Sequence, residues 1–321
     1  MAKFRDSVVT DAHITTVEAS VAAVPLRPQS PPAPTPSPAA ESTVVDRSIG
    51  DILTELKALS ADQVARVLQY QQDKGVRFGE AAVALNLVSR DDVLFALSQQ
   101  FHYPYAPEEK RAVSPELVTL NEPFGPRAEH FRALRSHVMM RLFADSEPRR
   151  AVAVISPDAQ DGKTYCACNL AVVLAQLGGR TLLVDADMRG PRVHEVFKLE
   201  ARAGLSGILS GRSDSHVIQQ VASVPTLFVL PVGVTPPNPL ELVERPAFGL
   251  LMRELSNKFD HVVVDTPAAI YGADASVIAA RCGAALLIAR KDKARIAALQ
   301  DLAVNFAAGA ARLAGVVVNE F

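Results

Sequence analysis

The chain is poor in cysteine: Cys166, Cys168 and Cys282 are its three among 321 residues. Two of them stand two positions apart on one expected helix, where side chains do not face each other, so no disulfide framework is expected. A surplus of charge is missing as well. The 33 basic and 35 acidic residues leave a net charge of −2, which provides no global footprint for nucleic acid or anionic lipid. No nucleic-acid partner is therefore expected, and any such contact needs a local patch. No run of 18 or more apolar residues occurs, and the opening MAKFRDSVVTDAH has no apolar core of the kind a signal peptide needs. The expected location is cytoplasmic, peripheral to the inner membrane through a partner. His102, His130, His137 and His261 are scattered without metal-ligand spacing and are read as structural or surface residues.

What is present divides into three parts. Residues 1–46 include Val24 to Thr43, VPLRPQSPPAPTPSPAAEST, a tract with too little apolar surface to offset chain entropy, and the part is expected to be a disordered tail. Residues 47–106 carry an internal repeat with an offset of 29 residues, Ser60 to Gln71 matching Ser89 to Gln100. Each copy opens on a serine followed three residues on by Gln63 or Asp92, a capping box, and continues with apolar residues at helical spacing. Ile49-Gly50 and Phe78-Gly79 extend the match upstream, so a small all-helical domain is expected.

From 107 to 321 the pattern alternates. Short apolar runs at Ala151 to Ile155, Thr181 to Val184, Leu227 to Leu230, Val262 to Val264, Ala284 to Ile288 and Gly315 to Val318 read as strands. Tyr165 to Leu177 and Ala294 to Phe306 read as helices between them. This order predicts an α/β fold with a doubly wound, mostly parallel sheet whose ligand lies beyond the carboxyl ends of the strands.

Three of those ends carry chemistry. After the first strand comes Pro157-Asp-Ala-Gln160-Asp161-Gly162-Lys163-Thr164, leading into a helix at Tyr165. It is a phosphate loop in which backbone N–H groups cradle phosphate, lysine adds charge and threonine ligates magnesium. Gln160 stands where an earlier glycine is expected. Twenty-two residues beyond Lys163, Leu182-Leu-Val-Asp185-Ala-Asp187-Met-Arg189 ends an apolar run in two acids. Alternation places both on one side of an extended segment, where they can hold magnesium or accept a proton. His261-Val-Val-Val-Asp265-Thr-Pro267 supplies a third carboxylate for the metal.

These segments, with Gly233-Val-Thr-Pro-Pro-Asn-Pro239-Leu-Glu-Leu and Glu129-His-Phe-Arg132-Ala-Leu-Arg135, resemble the bacterial tyrosine kinases of capsule and exopolysaccharide synthesis over roughly Glu129 to Phe321. The helical part resembles the domain in front of type II secretion ATPases, and the combination resembles EpsG-type chain-length-determinant kinases. The resemblance implies phosphoryl transfer from Mg-ATP to tyrosine, regulating polysaccharide chain length and export. Lys163, Asp185 and Asp187 are the implied catalytic residues. Gln160, Asp161, Gly162, Lys163, Thr164 and Tyr165 are expected to bind nucleotide, and Thr164, Asp185 and Asp265 the metal. Glu129, Arg132 and Arg135 are the implied contacts of a homo-oligomer, and an integral-membrane polysaccharide co-polymerase, the chain length determinant protein, is the implied partner. The family's C-terminal tyrosine cluster has no counterpart in Val317 to Phe321, so the acceptor is expected on another protein or at Tyr70, Tyr103 or Tyr105.

Other readings stay open. The domain could be a P-loop ATPase or a degenerate regulatory nucleotide-binding subunit of the same machinery. A partitioning ATPase would need a lysine five residues before Lys163, where Asp158 stands. The helical repeat resembles a tandem cyclic di-GMP motif, although Ser48 replaces its first arginine and Lys57 and Asn86 two glycines, so the domain is either a nucleotide sensor or a docking module.

Overall fold

The computed structural model describes residues 48–100, 113–143, 149–212, 217–307 and 311–320. The expected tail over 1–46, and Tyr103 and Tyr105, lie outside these residues.

Four helices open the described chain: α1 (Ile49–Lys57), α2 (Ala61–Lys74), α3 (Phe78–Ala84) and α4 (Arg90–Gln100). The 29-residue repeat is thus a helix pair used twice. Ser48, Ser60, Arg77 and Ser89 stand in front of the four helices, and the side chain three residues on accepts each of their backbone N–H groups, at 3.2, 2.9, 3.0 and 2.8 Å. The serine hydroxyls return the bond to the helical N–H groups of Asp51, Gln63 and Asp92. These are reciprocal capping boxes, which satisfy donors that a short helix would otherwise leave unpaired. Leu53, Val67, Ala81, Ala82, Val88 and Ala96 form the apolar centre of the bundle.

The remaining elements are α5 (Val118–Asn121), α6 (Pro126–Leu142), β1 (Ala151–Ile155), α7 (Lys163–Ala175), β2 (Thr181–Asp185), α8 (Val193–Phe197), α9 (Leu205–Leu209), β3 (Gln219–Gln220), β4 (Leu227–Leu230), α10 (Pro239–Glu244), α11 (Pro246–Lys258), β5 (His261–Asp265), α12 (Asp274–Cys282), β6 (Gly283–Arg290), α13 (Ile296–Ala307) and β7 (Arg312–Asn319). Seven strands form one sheet in the order β3-β4-β2-β5-β1-β6-β7. All neighbours are parallel except the short β3, which pairs antiparallel with β4.

Burial on both faces explains why the strands read as continuous apolar runs rather than alternating ones. In β1, Val152 and Val154 face α7, while Ala151, Ala153 and Ile155 face α12. Helix α7 is apolar around its whole circumference because it lies between the sheet and α6. The three cysteines are buried in these layers, and desolvation holds their thiols well above the ordinary range. Six of the seven strands fall on the expected apolar runs. The two-residue β3 was not expected, since two polar glutamines carry no strand pattern and owe their conformation to β4.

The two repeat glycines differ in a way that only packing reveals. A Cβ on Gly79 would lie 2.8 Å from a methyl of Val93, whereas one on Gly50 would meet nothing closer than 3.6 Å. Gly50→Ala is expected to stabilise the helical region by up to about 1 kcal/mol through helix propensity. Gly79→Ala is expected to destabilise it by about 1–2 kcal/mol, because overpacking outweighs the same gain. Urea denaturation read by amide exchange over residues 49–100 checks both signs.

Candidate functional site

The carboxyl ends of β1, β2 and β5 meet at one edge of the sheet, since these strands are parallel neighbours. After β1 the chain makes a tight loop before α7. Asp161 accepts the N–H of Asp158 at 3.0 Å, and the Ser156 hydroxyl donates to the Asp158 carbonyl at 2.7 Å. Gln160 has φ of 64°, so it takes the left-handed conformation in which glycine is expected, and Gly162 follows at 97° as the N-cap of α7. A Cβ on Gly162 would collide with the Asn319 amide. The loop closes without the earlier glycine because it is fastened from outside. Arg290 donates to the Gln160 carbonyl at 3.2 Å and Asn319 to the Asp161 carbonyl at 2.9 Å.

Lys163 is 7% exposed, and its ammonium donates to Ser156 Oγ at 3.1 Å. Thr164 Oγ1 donates to Asp265 Oδ2 at 2.6 Å, which joins the loop to the end of β5. Asp265 is fully buried, and its second oxygen, Oδ1, has no hydrogen-bond partner. Asp185 is its neighbour across the β2–β5 ladder. Desolvation, with Asp265 beside it, pushes the Asp185 carboxyl well above its ordinary range, and desolvation pushes Asp265 up to about 7 against the opposing bond from Thr164.

The two acids of the second segment do not share a strand face as expected. Strand β2 stops at Asp185, whose oxygens accept the backbone N–H groups of Asp187 at 3.2 Å and Val193 at 3.1 Å. Asp187 lies beyond it in a turn, accepting the N–H groups of Arg189 and Gly190. The carboxylate of Asp185 therefore points into the fold and shapes the turn that presents Asp187. Asp161 is likewise turned into its own loop, 2% exposed. Of the expected residues, Gln160, Gly162, Lys163, Thr164, Tyr165 and Asp187 line a common cavity of about 630 Å³.

Several groups at this cavity lie outside the expected site residues. Arg189 and Arg192 border it, and Arg189 pairs with the buried Asp274 at 3.0 Å. Tyr271 lines it from a 3₁₀ turn, Ala269–Tyr271, and Asn319 fastens its loop. Both Arg290 and Asn319 end apolar strands, which was the available clue. Glu129, Arg132 and Arg135 lie together on α6. Glu129 pairs with Arg132, which also donates to the Pro123 carbonyl, and Arg135 donates to the Val173 carbonyl at 2.9 Å. All three thus have contacts within their own chain. Among the described residues, no helix is long and apolar enough to cross a membrane.

A phosphate loop opening a buried helix, at the carboxyl edge of a parallel sheet with acids on the neighbouring strands, defines a P-loop nucleotide-binding domain. Residues 152–321 match the CobQ/CobB/MinD/ParA nucleotide binding domain. The chain belongs to that family and, within it, to the bacterial tyrosine kinase domains. It is 33% identical to the tyrosine-protein kinase ptk of Acinetobacter johnsonii over 60% of its own length and 26% of that protein. It is 30% identical to the tyrosine-protein kinase CpsD of Streptococcus agalactiae over 60% of this chain and 82% of that one. It is also similar to the crystal structure of the chimerical protein CapA2B2, with a TM-score of 0.60 and 30% identity, covering 70% of this chain and 97% of the other. The chain thus spans about a quarter of the Acinetobacter relative and most of the streptococcal one.

The elevated Asp265 carboxyl sets a pH dependence for the free protein. Its folded pKa lies above the unfolded value, so the folded state binds the extra proton and stability is lost as pH rises from about 4 to about 7. His261, lowered chiefly by burial, acts in the opposite sense, its contribution being lost as pH falls through the histidine range. Denaturant titrations across this window, without nucleotide or magnesium, are expected to show a flatter profile for Asp265→Asn than for the parent once the shared His261 contribution is subtracted.

Proposed function

We propose that the chain is an ATP-dependent protein tyrosine kinase that regulates exopolysaccharide chain length and export. The observation that carries this reading is the bond from Thr164 to the buried Asp265, whose other carboxylate oxygen is unpartnered, at the wall of a cavity that Thr164 lines together with Lys163 and Asp187. An orphaned acceptor next to a hydroxyl is what a magnesium shell requires, so the residues fit Mg²⁺. Thr164 and Asp265 would hold the ion, with Asp185 adding negative field from the adjacent strand. When bound, magnesium neutralises charge developing on the phosphates.

Gln160 to Tyr165 hold the phosphates through N–H groups at the start of α7, supplemented by the Lys163 ammonium. Asp187 accepts the proton of the attacking tyrosine hydroxyl, whose ordinary pKa near 10 makes a nearby base useful. Arg189 and Arg192 add positive charge at the cavity rim. An integral-membrane polysaccharide co-polymerase is the proposed partner, in a complex at the inner membrane. The likeness to the CapA2B2 chimera supports this pairing. Glu129, Arg132 and Arg135 are the proposed contacts of a homo-oligomer, and the helical repeat, with Arg77 at the head of its second copy, is the proposed docking or cyclic di-GMP-sensing part.

Incubation with ATP and Mg²⁺, followed by mass spectrometry for phosphotyrosine, tests the assignment. Lys163→Met and Asp187→Asn are each expected to lower the rate by about a hundredfold or more while the thermal midpoint stays near the parent's. Asp185→Asn is expected instead to cost about 1–3 kcal/mol of stability, because it weakens the bonds to two backbone N–H groups. Undiminished labelling by Lys163→Met sinks the reading.

A further inference from the structure

Three tyrosines fall among the described residues, and they have different surroundings. Tyr70 is packed against the core of the helical region. Tyr165 borders the phosphate cavity, but its hydroxyl is turned inward and buried, and its ring meets Phe131 edge-on at 5.6 Å. Tyr271 also borders the cavity, and it is 55% exposed.

The position of Tyr271 is built rather than incidental. It closes the 3₁₀ turn Ala269–Tyr271 that follows the Asp265-Thr266-Pro267 strand end. The backbone N–H groups of Ala269 and Ile270 donate to the carbonyls of Ser156 and Pro157 at 2.9 Å each. The turn that bears the phenol is therefore bonded directly to the first residues of the phosphate loop. On the far side Gly272 has φ of 145°, and a Cβ there would lie 3.1 Å from Asp274, the carboxylate that holds Arg189. The phenol thus shares one cavity with the phosphate-loop Lys163, the half-buried Asp187 and the rim cations Arg189 and Arg192.

From this arrangement we propose that Tyr271 is a phosphoryl acceptor of the chain's own site, modified by the nucleotide bound in the same protomer. The inference rests on the kinase reading above and adds the acceptor to it. In the step, a bond forms between Tyr271 Oη and the γ-phosphorus of ATP as the bond to the β,γ-bridging oxygen breaks. ADP leaves with that oxygen, and the phenolic proton passes to the Asp187 carboxylate. The product carries nearly two negative charges where Lys163, Arg189 and Arg192 line the cavity, so phosphate on Tyr271 occupies the place of incoming nucleotide and limits further turnover.

The experiment uses the full chain with ATP and Mg²⁺, a synthetic glutamate–tyrosine copolymer in parallel, and an equimolar mixture of wild-type chain with mass-tagged Lys163→Met chain. Peptide mapping is expected to place phosphate on Tyr271 of the wild-type chain and not on Tyr271 of its Lys163→Met companion. Tyr271→Phe is expected to lose most of the chain's own label. Phosphate found at other tyrosines of the chain, or on the copolymer alone, overturns the inference and leaves the kinase reading standing. Label on Tyr271 of the Lys163→Met chain overturns transfer within one protomer. No label on either chain or copolymer removes the kinase reading and this inference with it.

Discussion

The hydrogen bond from Thr164 to Asp265 is the point on which the rest of the site depends. It joins the first turn of α7 to the end of β5, across 101 residues of chain, and its acceptor carboxylate is fully buried. A buried carboxylate is unfavourable unless it is paired, and here one oxygen is satisfied and the other is not. Asp185 stands beside it across the ladder, adding repulsion. The fold therefore gathers buried carboxylates at the strand ends, an arrangement that the proposed magnesium ion would relieve. Replacing Asp265 by a neutral residue would ease the free protein and weaken the case for a cation there, whereas the same change at Asp185 would also disturb its bonds to two backbone N–H groups.

Much of this was legible in the sequence, for a definite reason. Strands buried on both faces appear as uninterrupted valine, leucine and alanine runs, and β1, β2, β4, β5, β6 and β7 were found that way. The repeat capping boxes were legible because they depend on spacings of three residues. What escaped was whatever depends on a partner distant in sequence. The helices α8, α9 and α10 have five or six residues each, too few to establish a period. Alternation makes Asp185 and Asp187 one extended segment, yet Asp185 captures two N–H groups of the following residues and ends the strand. A two-residue spacing could not reveal that competition, because it is settled by where Val193 returns.

The phosphate loop shows how a departure from a motif is accommodated. A non-glycine residue in the left-handed region costs on the order of 1–2 kcal/mol, and Gln160 adopts it. The fasteners that hold it come from the opposite end of the chain, Arg290 at the end of β6 and Asn319 at the end of β7. Each takes a main-chain carbonyl of the loop and leaves the loop N–H groups untouched. The missing glycine is thus offset by interactions that no reading of the loop alone could supply, and glycine depletion by itself is poor evidence for a degenerate site.

Comparable ties connect α6 to the site although it does not line the phosphate cavity. Arg141 donates to the Ala314 carbonyl of β7 at 2.8 Å, and Arg135 to the Val173 carbonyl of α7. Helix α6 is therefore tied to the strand that carries Asn319 and to the helix that begins at Lys163. Both acceptors are main-chain carbonyls, so the ties fix where α6 lies without depending on the side chains beneath it. Arg135 spends its guanidinium on that role, whereas Glu129 stays largely outward. A surface used by other copies of the chain would therefore be positioned in part by one of its own proposed contacts, Arg135, through its bond to α7.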